Sequence, residues 1–170
     1  MTVENRVTVI TGASGGLGRV VARRFAEQGA RLALLGRNAQ SIEDLAHELR
    51  LPEERVLTGA YDLSDPAAAR AAADNVSKVF GRAEIVLHLV GGWIGGKAVV
   101  DVSGDEVADM LQQHLWTTFN LSQAFVPHLV ANQWGRIIVV SSPSAANPPA
   151  NGAPYSIGKA AQEALIATLA

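Results

Sequence analysis

Three polar residues near the end of the chain have types and a spacing that suit proton transfer. Ser142 ends an apolar run, Tyr155 follows thirteen positions later and Lys159 four positions after that. If Tyr155 and Lys159 share a helix, they lie on one face of it. A nearby ammonium favours the phenolate of a tyrosine, which otherwise ionises near pH 10, so such a tyrosine becomes a usable general acid and base. The alternative is a tyrosine and a lysine on an ordinary helix surface.

A serine, a tyrosine and a lysine in this arrangement suit hydride-transfer chemistry. A cofactor moves a hydride at carbon while the tyrosine moves a proton at oxygen, and the serine hydroxyl holds that oxygen. Such chemistry requires a bound cofactor, so we expect a cofactor site elsewhere in the chain.

A glycine-rich turn near the N-terminus has the pattern of a phosphate cradle. The segment TGASGGLG, residues 11–18, lies between an apolar strand and a helix. Glycine lets the backbone approach a pyrophosphate closely, and the helix N-terminus supplies unpaired N–H groups. This context predicts a nicotinamide dinucleotide site rather than a purely structural turn. The residues expected at it are Gly12, Ser14, Gly15, Gly16, Leu17 and Gly18.

The residues after the next two strands predict which dinucleotide is bound. NAD sites usually carry an acid after the second strand, whereas this chain has Gly36-Arg37 there. Arginine pairs with a 2′-phosphate, so the sequence favours NADP over NAD. Asp62, which follows the third strand, either accepts a hydrogen bond from the adenine amino group or serves as a turn aspartate.

The elements that must position these residues alternate along the chain. Apolar patterns predict strands over residues 6–11, 31–35, 56–61, 84–90 and 136–141. Amphipathic patterns predict helices over 16–28, 40–50, 65–80, 103–132 (with a bend near Pro127) and 154–170. This alternation predicts a single α/β domain, residues 1–170, with a doubly wound parallel sheet covered on both faces.

Composition narrows the class of protein. Of 170 residues, 48% are hydrophobic and 18% charged, which suits a folded core, and the net charge of −2 favours neither nucleic acid nor an acidic membrane as a partner. With no cysteine, thiolate metal sites and cysteine nucleophiles are excluded, and we predict no metal site. No secretory signal or membrane-spanning run is visible, so we expect a cytoplasmic protein.

Taken together, these motifs resemble the classical short-chain dehydrogenase/reductase family. Thr11-Gly12, Gly16 and Gly18 match its glycine motif, Asp62-Leu63 its adenine-site dipeptide, and Ser142, Tyr155 and Lys159 its catalytic residues. The resemblance implies a Rossmann fold with strand order 3-2-1-4-5 and an NADP-dependent oxidoreductase acting on a carbonyl or alcohol. It also implies that Lys159 holds the nicotinamide ribose and that Val90 and Gly91 line the cofactor.

Two histidines stand where the family has asparagines. The Asn-Asn-Ala-Gly motif after the fourth strand appears as His88-Leu89-Val90-Gly91, and we interpret His88 as a hydrogen-bonded core residue rather than a catalyst. His114 replaces the asparagine that holds a relay water in the family. An imidazole can hold a water, so His114 is a fourth candidate catalytic residue, although an altered relay is an equal alternative.

The loop Gly91-Gly92-Trp93-Ile94-Gly95-Gly96 locally resembles the dihydropteridine reductase branch of the family. Arg37 and Ser142 depart from that branch and argue against transferring its substrate. Trp93 either stacks on a flat substrate or the nicotinamide, or packs on the domain, which we favour slightly.

Family members are usually longer, with a sixth and a seventh strand that are absent here. We therefore expect strand five to form an open apolar edge and the protein to form homo-oligomers through helices 103–132 and 154–170. The short length keeps a second hypothesis open, a dinucleotide-binding or interaction protein without turnover.

Overall fold

The computed structural model describes residues 2–169, in which strands and helices alternate as predicted. The strands are β1 (Val7–Thr11), β2 (Arg31–Gly36), β3 (Val56–Ala60), β4 (Ile85–His88) and β5 (Arg136–Val139). The helices are α1 (Gly16–Glu27), α2 (Ala39–Leu49), α3 (Pro66–Phe80), α4 (Gly104–Leu111), α5 (Thr117–Ala131) and α6 (Ala153–Ala167). Short 3₁₀ helices cover Glu53–Arg55, Val99–Asp101 and Pro143–Ala145.

All five strands pair in parallel in the order β3-β2-β1-β4-β5, which confirms the predicted Rossmann topology. Thr11, the last residue of β1, is in register with Leu35 of β2 and His88 of β4. The carboxyl ends of the central strands therefore meet at one edge of the sheet, and the chain order reverses between β1 and β4. That reversal is where open α/β sheets bind ligands.

Two apolar clusters, one on each face of the sheet, make the fold a three-layer structure. On one face, Val9 packs with residues of α3 and α5 such as Val76 and Phe125. On the other face, Ile10 packs with residues of α1 and α2 such as Ala22. Consecutive residues of β1 thus serve opposite layers, as expected for a strand buried on both sides.

The predicted single helix over 103–132 is wrong in one respect, because a π-helical turn, Gln112–Trp116, separates α4 from α5. The hydroxyls of Thr117 and Thr118 donate hydrogen bonds to the carbonyls of Gln113 (2.7 Å) and His114 (2.6 Å). Side chains that bond four residues back compete with the regular ladder and distort helices. The irregularity therefore lies at His114, whereas Pro127 lies within α5.

Strand β5 forms one edge of the sheet and is only partly covered. It ends at Val139 rather than at Ser141 as predicted, and Ile138 and Val140 are 47% and 43% exposed. Along residues 2–169 there is no helix with the length and apolar character needed to cross a membrane.

Candidate functional site

A cleft of about 550 Å³ opens at the carboxyl ends of β1, β2 and β4. Eight of the predicted cofactor residues line it: Gly12, Ser14, Gly15, Arg37, Asp62, Leu63, Val90 and Gly91. Gly16, Leu17 and Gly18 belong to the first turn of α1 and do not line the cleft. The structure thus gathers residues from four separate segments of the sequence into one concave surface, as a dinucleotide site requires.

The glycine turn has the close backbone contacts expected of a phosphate cradle. Gly12 has a φ of +67°, and a Cβ there would lie 2.9 Å from the carbonyl oxygen of Leu89. A Cβ at Gly18 would lie 2.6 Å from the carbonyl oxygen of Ala13. The N-cap of α1 is Gly15, and no side chain caps the helix. First-turn N–H groups without a side-chain cap at the mouth of a cleft fit the pyrophosphate of a dinucleotide.

Arg37 and Asp62 both line this cleft. The Asp62 carboxylate accepts a hydrogen bond from the Ser64 N–H (3.0 Å), so the turn role weighed from the sequence is present. That bond, with further hydrogen bonding to Ser64 and the nearby charge of Arg37, lowers the pKa of Asp62. Asp62 is therefore ionised at neutral pH. Arg37 is exposed and directly follows the end of β2.

Several further cleft residues were not predicted. Tyr61 lines the cleft, and its hydroxyl accepts a hydrogen bond from Asn75 (3.2 Å). The far wall comes from α4, the π-helical turn and the start of α5. Its cleft-lining residues are Asp109, Gln112, Gln113 and Thr117. Polar residues on a helix give no sequence signal that they line a cleft. Of this region only the neighbouring His114 was predicted, because it replaces an asparagine of the family.

Tyr155 and Lys159 both lie on α6, on the same face. The Lys159 Nζ atom is 5.9 Å from the centroid of the Tyr155 ring. Lys159 is buried and donates hydrogen bonds to the Val140 carbonyl (2.7 Å) and the Gln162 amide oxygen (3.0 Å). Burial lowers the pKa of Lys159, and the charge of Glu163 opposes that shift. The alternative of an ordinary surface lysine is excluded by this burial, while the catalytic role itself remains a prediction.

Ser142 begins the 3₁₀ helix that follows β5. Its hydroxyl accepts a hydrogen bond from the Ser144 N–H (3.2 Å), and its own N–H donates to the Ser141 hydroxyl (2.5 Å). The Ser141 hydroxyl in turn contacts the carboxylate of Glu163 on α6. Ser142 is therefore held on the α6 side of the sheet edge and does not line the cleft.

His114 links the π-helical turn to the loop after β4. It is 1% exposed, and its Nε2 donates to the Gly92 carbonyl (3.0 Å), which leaves Nδ1 as an acceptor with no partner among residues 2–169. Its ring meets that of Tyr155 edge-on, with centroids 5.5 Å apart. It is confined by Gly91 and Gly158, where added Cβ atoms would come within 2.6 and 3.0 Å of the ring. Burial lowers the pKa of His114 to about 4, so the ring is neutral at pH 7.

His88 is a hydrogen-bonded core residue, as the sequence favoured. The single hydroxyl hydrogen of Thr117 goes to Gln113, so His88 Nε2 must donate to Thr117 Oγ1 (3.1 Å). Nδ1 then accepts from the Thr11 hydroxyl (2.7 Å). Burial lowers the pKa of His88 to about 3. The neutral ring joins the ends of β1 and β4 to α5 directly beneath the cleft.

Trp93 lies in the loop after β4 and is 65% exposed. A Cβ at Gly95 would come within 2.8 Å of its ring, so the indole packs on its own loop. The Gly96 N–H donates to the Asn151 carbonyl (2.7 Å), which ties this loop to the segment before α6. The loop that carries Trp93 is thus fixed next to the segment before α6, and stacking of Trp93 on a substrate remains a prediction.

Similarity to known sequences shows the family of this chain. The sequence model of the short chain dehydrogenase family matches residues 6–170. The chain belongs to that family. Dehydrogenase/reductase SDR family member 7B from Bos taurus is 36% identical over 146 residues, which are 82% of this chain and 45% of that protein. An uncharacterized oxidoreductase of Staphylococcus epidermidis is 31% identical over 170 residues, covering 98% of this chain and 71% of the relative. The chain thus spans about half the length of the bovine relative.

Solved structures of this family share the fold and hold cofactors. NAD⁺-bound xylitol dehydrogenase superposes with a TM-score of 0.92 at 26% identity, covering 100% of this chain and 65% of that one. A metagenomic short-chain oxidoreductase in complex with NADP superposes with a TM-score of 0.87 at 28% identity. The match covers 100% of this chain and 77% of that one. These neighbours hold NAD⁺ or NADP, which supports a nicotinamide dinucleotide as the cofactor. The local resemblance to dihydropteridine reductase is not shown by the comparisons.

Proposed function

We propose that this protein is an NADP-dependent oxidoreductase that transfers a hydride between the nicotinamide and a carbonyl or alcohol. The observation that carries the proposal is the buried Lys159 ammonium beside Tyr155, close to the cleft. Gly91 lines the cleft, His114 packs against Gly91, and Tyr155 packs against His114. The tyrosine is thus one side-chain layer away from the surface that fits the dinucleotide.

In this proposal the dinucleotide supplies or accepts the hydride, and the side chains handle the proton. Tyr155 donates its phenolic proton to the carbonyl oxygen during reduction and removes it during oxidation. The positive charge of Lys159 stabilises the phenolate that remains, and its N–H group also holds a ribose hydroxyl. Ser142 donates to the substrate oxygen, which requires its hydroxyl hydrogen and leaves its bond from Ser144 intact. His114 is proposed as the relay residue, since its Nδ1 has no hydrogen-bond partner among residues 2–169.

The preference for NADP rests on charge at the end of β2. Arg37 offers several N–H donors to a 2′-phosphate, and Ser14 lies near Gly36, since a Cβ there would be 3.6 Å from the Ser14 hydroxyl. Gly12 and Gly15 would line the pyrophosphate site, and the first turn of α1, with Gly16, Leu17 and Gly18, would direct its N–H groups to it. Asp62 and Leu63 would hold the adenine. Val90 and Gly91 flank the nicotinamide end.

We also propose a homo-oligomer through residues 103–132 and 154–170 of one cytoplasmic domain. Several large apolar side chains on these segments are exposed: Trp116 (48%), Val130 (69%), Ile157 (44%) and Leu169 (44%). Light scattering after size-exclusion chromatography tests this, and a monomer at micromolar concentration would contradict it.

A second candidate function is dinucleotide binding without turnover. It is favoured by the position of Ser142 outside the cleft lining.

Oxidation of NADPH by a panel of carbonyl compounds separates the two functions. We expect the chain to consume NADPH and the Tyr155→Phe variant to lose at least about 100-fold in rate, the usual size of general acid catalysis. Binding of NADPH, followed by quenching of tryptophan fluorescence, should survive in that variant. Rates at background in both proteins, with binding retained, would favour the second function.

A further inference from the structure

We propose that Gln162 is a positioning residue that orients the Lys159 ammonium toward Tyr155, an inference that rests on the proposed function. Gln162 lies one helical turn after Lys159 on α6 and is 1% exposed. A glutamine in a helix is ordinary, and neither the motif spacing nor the composition singles it out. Its importance emerges only from the direction of its hydrogen bonds.

Two of the three hydrogens of the Lys159 ammonium have fixed acceptors. One goes to the Val140 carbonyl at 2.7 Å and a second to the Gln162 amide oxygen at 3.0 Å. An ammonium has three donors in a tetrahedral arrangement, so two fixed acceptors determine where the third points. Without Gln162 the ammonium could rotate about its single remaining partner.

Thr118 fixes the orientation of Gln162 itself. The Thr118 hydroxyl donates its only hydrogen to the His114 carbonyl at 2.6 Å. Thr118 must therefore accept from the Gln162 Nε2 group, 2.8 Å away. This contact directs the amide nitrogen to Thr118 and the amide oxygen to Lys159. Because Thr118 and Gln162 are both fully buried, water does not compete for either bond.

The charges around Lys159 also bear on the role of Gln162. The titratable groups around Lys159 are Tyr155 and Glu163 on α6, His114 in the π-helical turn and His88 on β4. Both histidines are neutral at pH 7, and burial lowers the pKa of Lys159. The neutral amide of Gln162 stabilises the buried ammonium without adding a negative charge that would oppose the phenolate. A carboxylate at this position would neutralise the charge that Tyr155 requires.

Titration of Tyr155 tests the inference without any need for turnover. The chain has two tyrosines, so in a Tyr61→Phe background the ultraviolet absorbance of the phenolate reports Tyr155 alone. We expect Lys159→Met to move the titration midpoint of Tyr155 upward, as loss of an adjacent positive charge does. Gln162→Met should move it in the same direction by a smaller amount. In the Lys159→Met background, Gln162→Met should cause no further shift, because it acts only through the lysine.

Two comparisons make the outcome decisive. Gln123→Met, on the exposed surface of α5, is the matched control and should leave the midpoint unchanged. If circular dichroism shows that Gln162→Met does not fold, Thr118→Val replaces it, because removal of that hydroxyl frees the amide to turn. A shift with Lys159→Met but none with Gln162→Met or Thr118→Val overturns the role of Gln162 alone. No shift with Lys159→Met overturns the proposed lysine and tyrosine pairing, and the role of Gln162 with it.

Discussion

The two halves of the site are built by different means. The cleft that fits the dinucleotide is made of backbone, glycines and exposed charged side chains such as Arg37 and Asp62. The region around Tyr155 is made of buried polar side chains, His114, Lys159 and Gln162, joined by directed hydrogen bonds. One half recognises shape and charge, whereas the other depends on each donor having the right acceptor.

This difference predicts how each half tolerates change. In the buried half, removal of one partner leaves another polar group without a bond in a region that excludes water. In the cleft, a side chain can be removed at moderate cost, while an added Cβ in the cradle collides with backbone. The predictions below test these expectations from the largest effect to the smallest.

The largest loss of stability should come from His88→Ala. The change removes two buried hydrogen bonds, to Thr11 and Thr117, and leaves a cavity where β1, β4 and α5 meet. We expect the free energy of unfolding to fall by about 3 kcal/mol or more, measured by urea denaturation. His88→Asn, which restores the residue type of the family motif, should lose clearly less. Equal losses in both variants would show that packing volume, rather than hydrogen bonding, determines the effect.

The cradle should respond more strongly to an added methyl group than to a lost side chain. Gly18→Ala directs a Cβ to within 2.6 Å of the Ala13 carbonyl, and overpacking of this kind costs about 2 kcal/mol. We expect lower stability in urea and weaker binding of NADPH. Gly16→Ala is the matched control, since a Cβ at Gly16 meets nothing within 4 Å and alanine favours the helix. A Gly18→Ala protein as stable as Gly16→Ala would contradict the close contact.

The same division explains which features could be predicted from the sequence. The Gly12 to Gly18 turn was recognisable because glycine answers a local requirement of the backbone there. The parallel sheet followed from the alternation of elements, and the strand order from the family resemblance. The apolar and charged pattern also placed Arg37 and Asp62 at strand ends, where the structure has them.

The hydrogen-bonded half was less predictable because its bonds link residues far apart in sequence. Gln162 and Thr118 are 44 positions apart, and neither type is unusual in a helix. The π-helical turn arises from Thr117 and Thr118 bonding back to the preceding turn, an effect that periodicity does not reveal. The cleft wall that includes Asp109 and Gln112, at the junction of α4 and that turn, was therefore not predicted. His114 was noticed only because it departs from the motif.

The buried histidines predict a dependence of stability on pH. The pKa values of His88 and His114 are lowered to about 3 and about 4, while both titrate near 6.5 in the unfolded chain. Between the folded and the unfolded pKa values, the unfolded state binds more protons than the folded state. The free energy of unfolding therefore falls as the pH decreases below about 6.5. Each histidine contributes a slope of up to about 1.4 kcal/mol per pH unit.

Comparison of variants isolates that contribution. His114→Asn keeps an amide that can donate to Gly92 but cannot titrate. The slope of the unfolding free energy against pH, between pH 4 and pH 6.5, should therefore decrease by up to the contribution of one proton. Urea denaturation at several pH values measures it. An unchanged slope would mean that His114 is protonated in the folded protein, and it would remove the neutral ring from the proposed relay.

The smallest effect should be that of Arg37→Ala, because this side chain is exposed and its interaction with a phosphate is screened by water and salt. We expect about a 5-fold loss of affinity for NADPH and almost none for NADH, measured by fluorescence titration at low ionic strength, since exposed pairs contribute about 1 kcal/mol. Arg23→Ala is the matched control, because Arg23 is also exposed but pairs with Glu48. A loss that is equal for NADPH and NADH would place Arg37 at the pyrophosphate or adenine instead. Arg37 would then contribute its charge to dinucleotide binding without distinguishing NADPH from NADH.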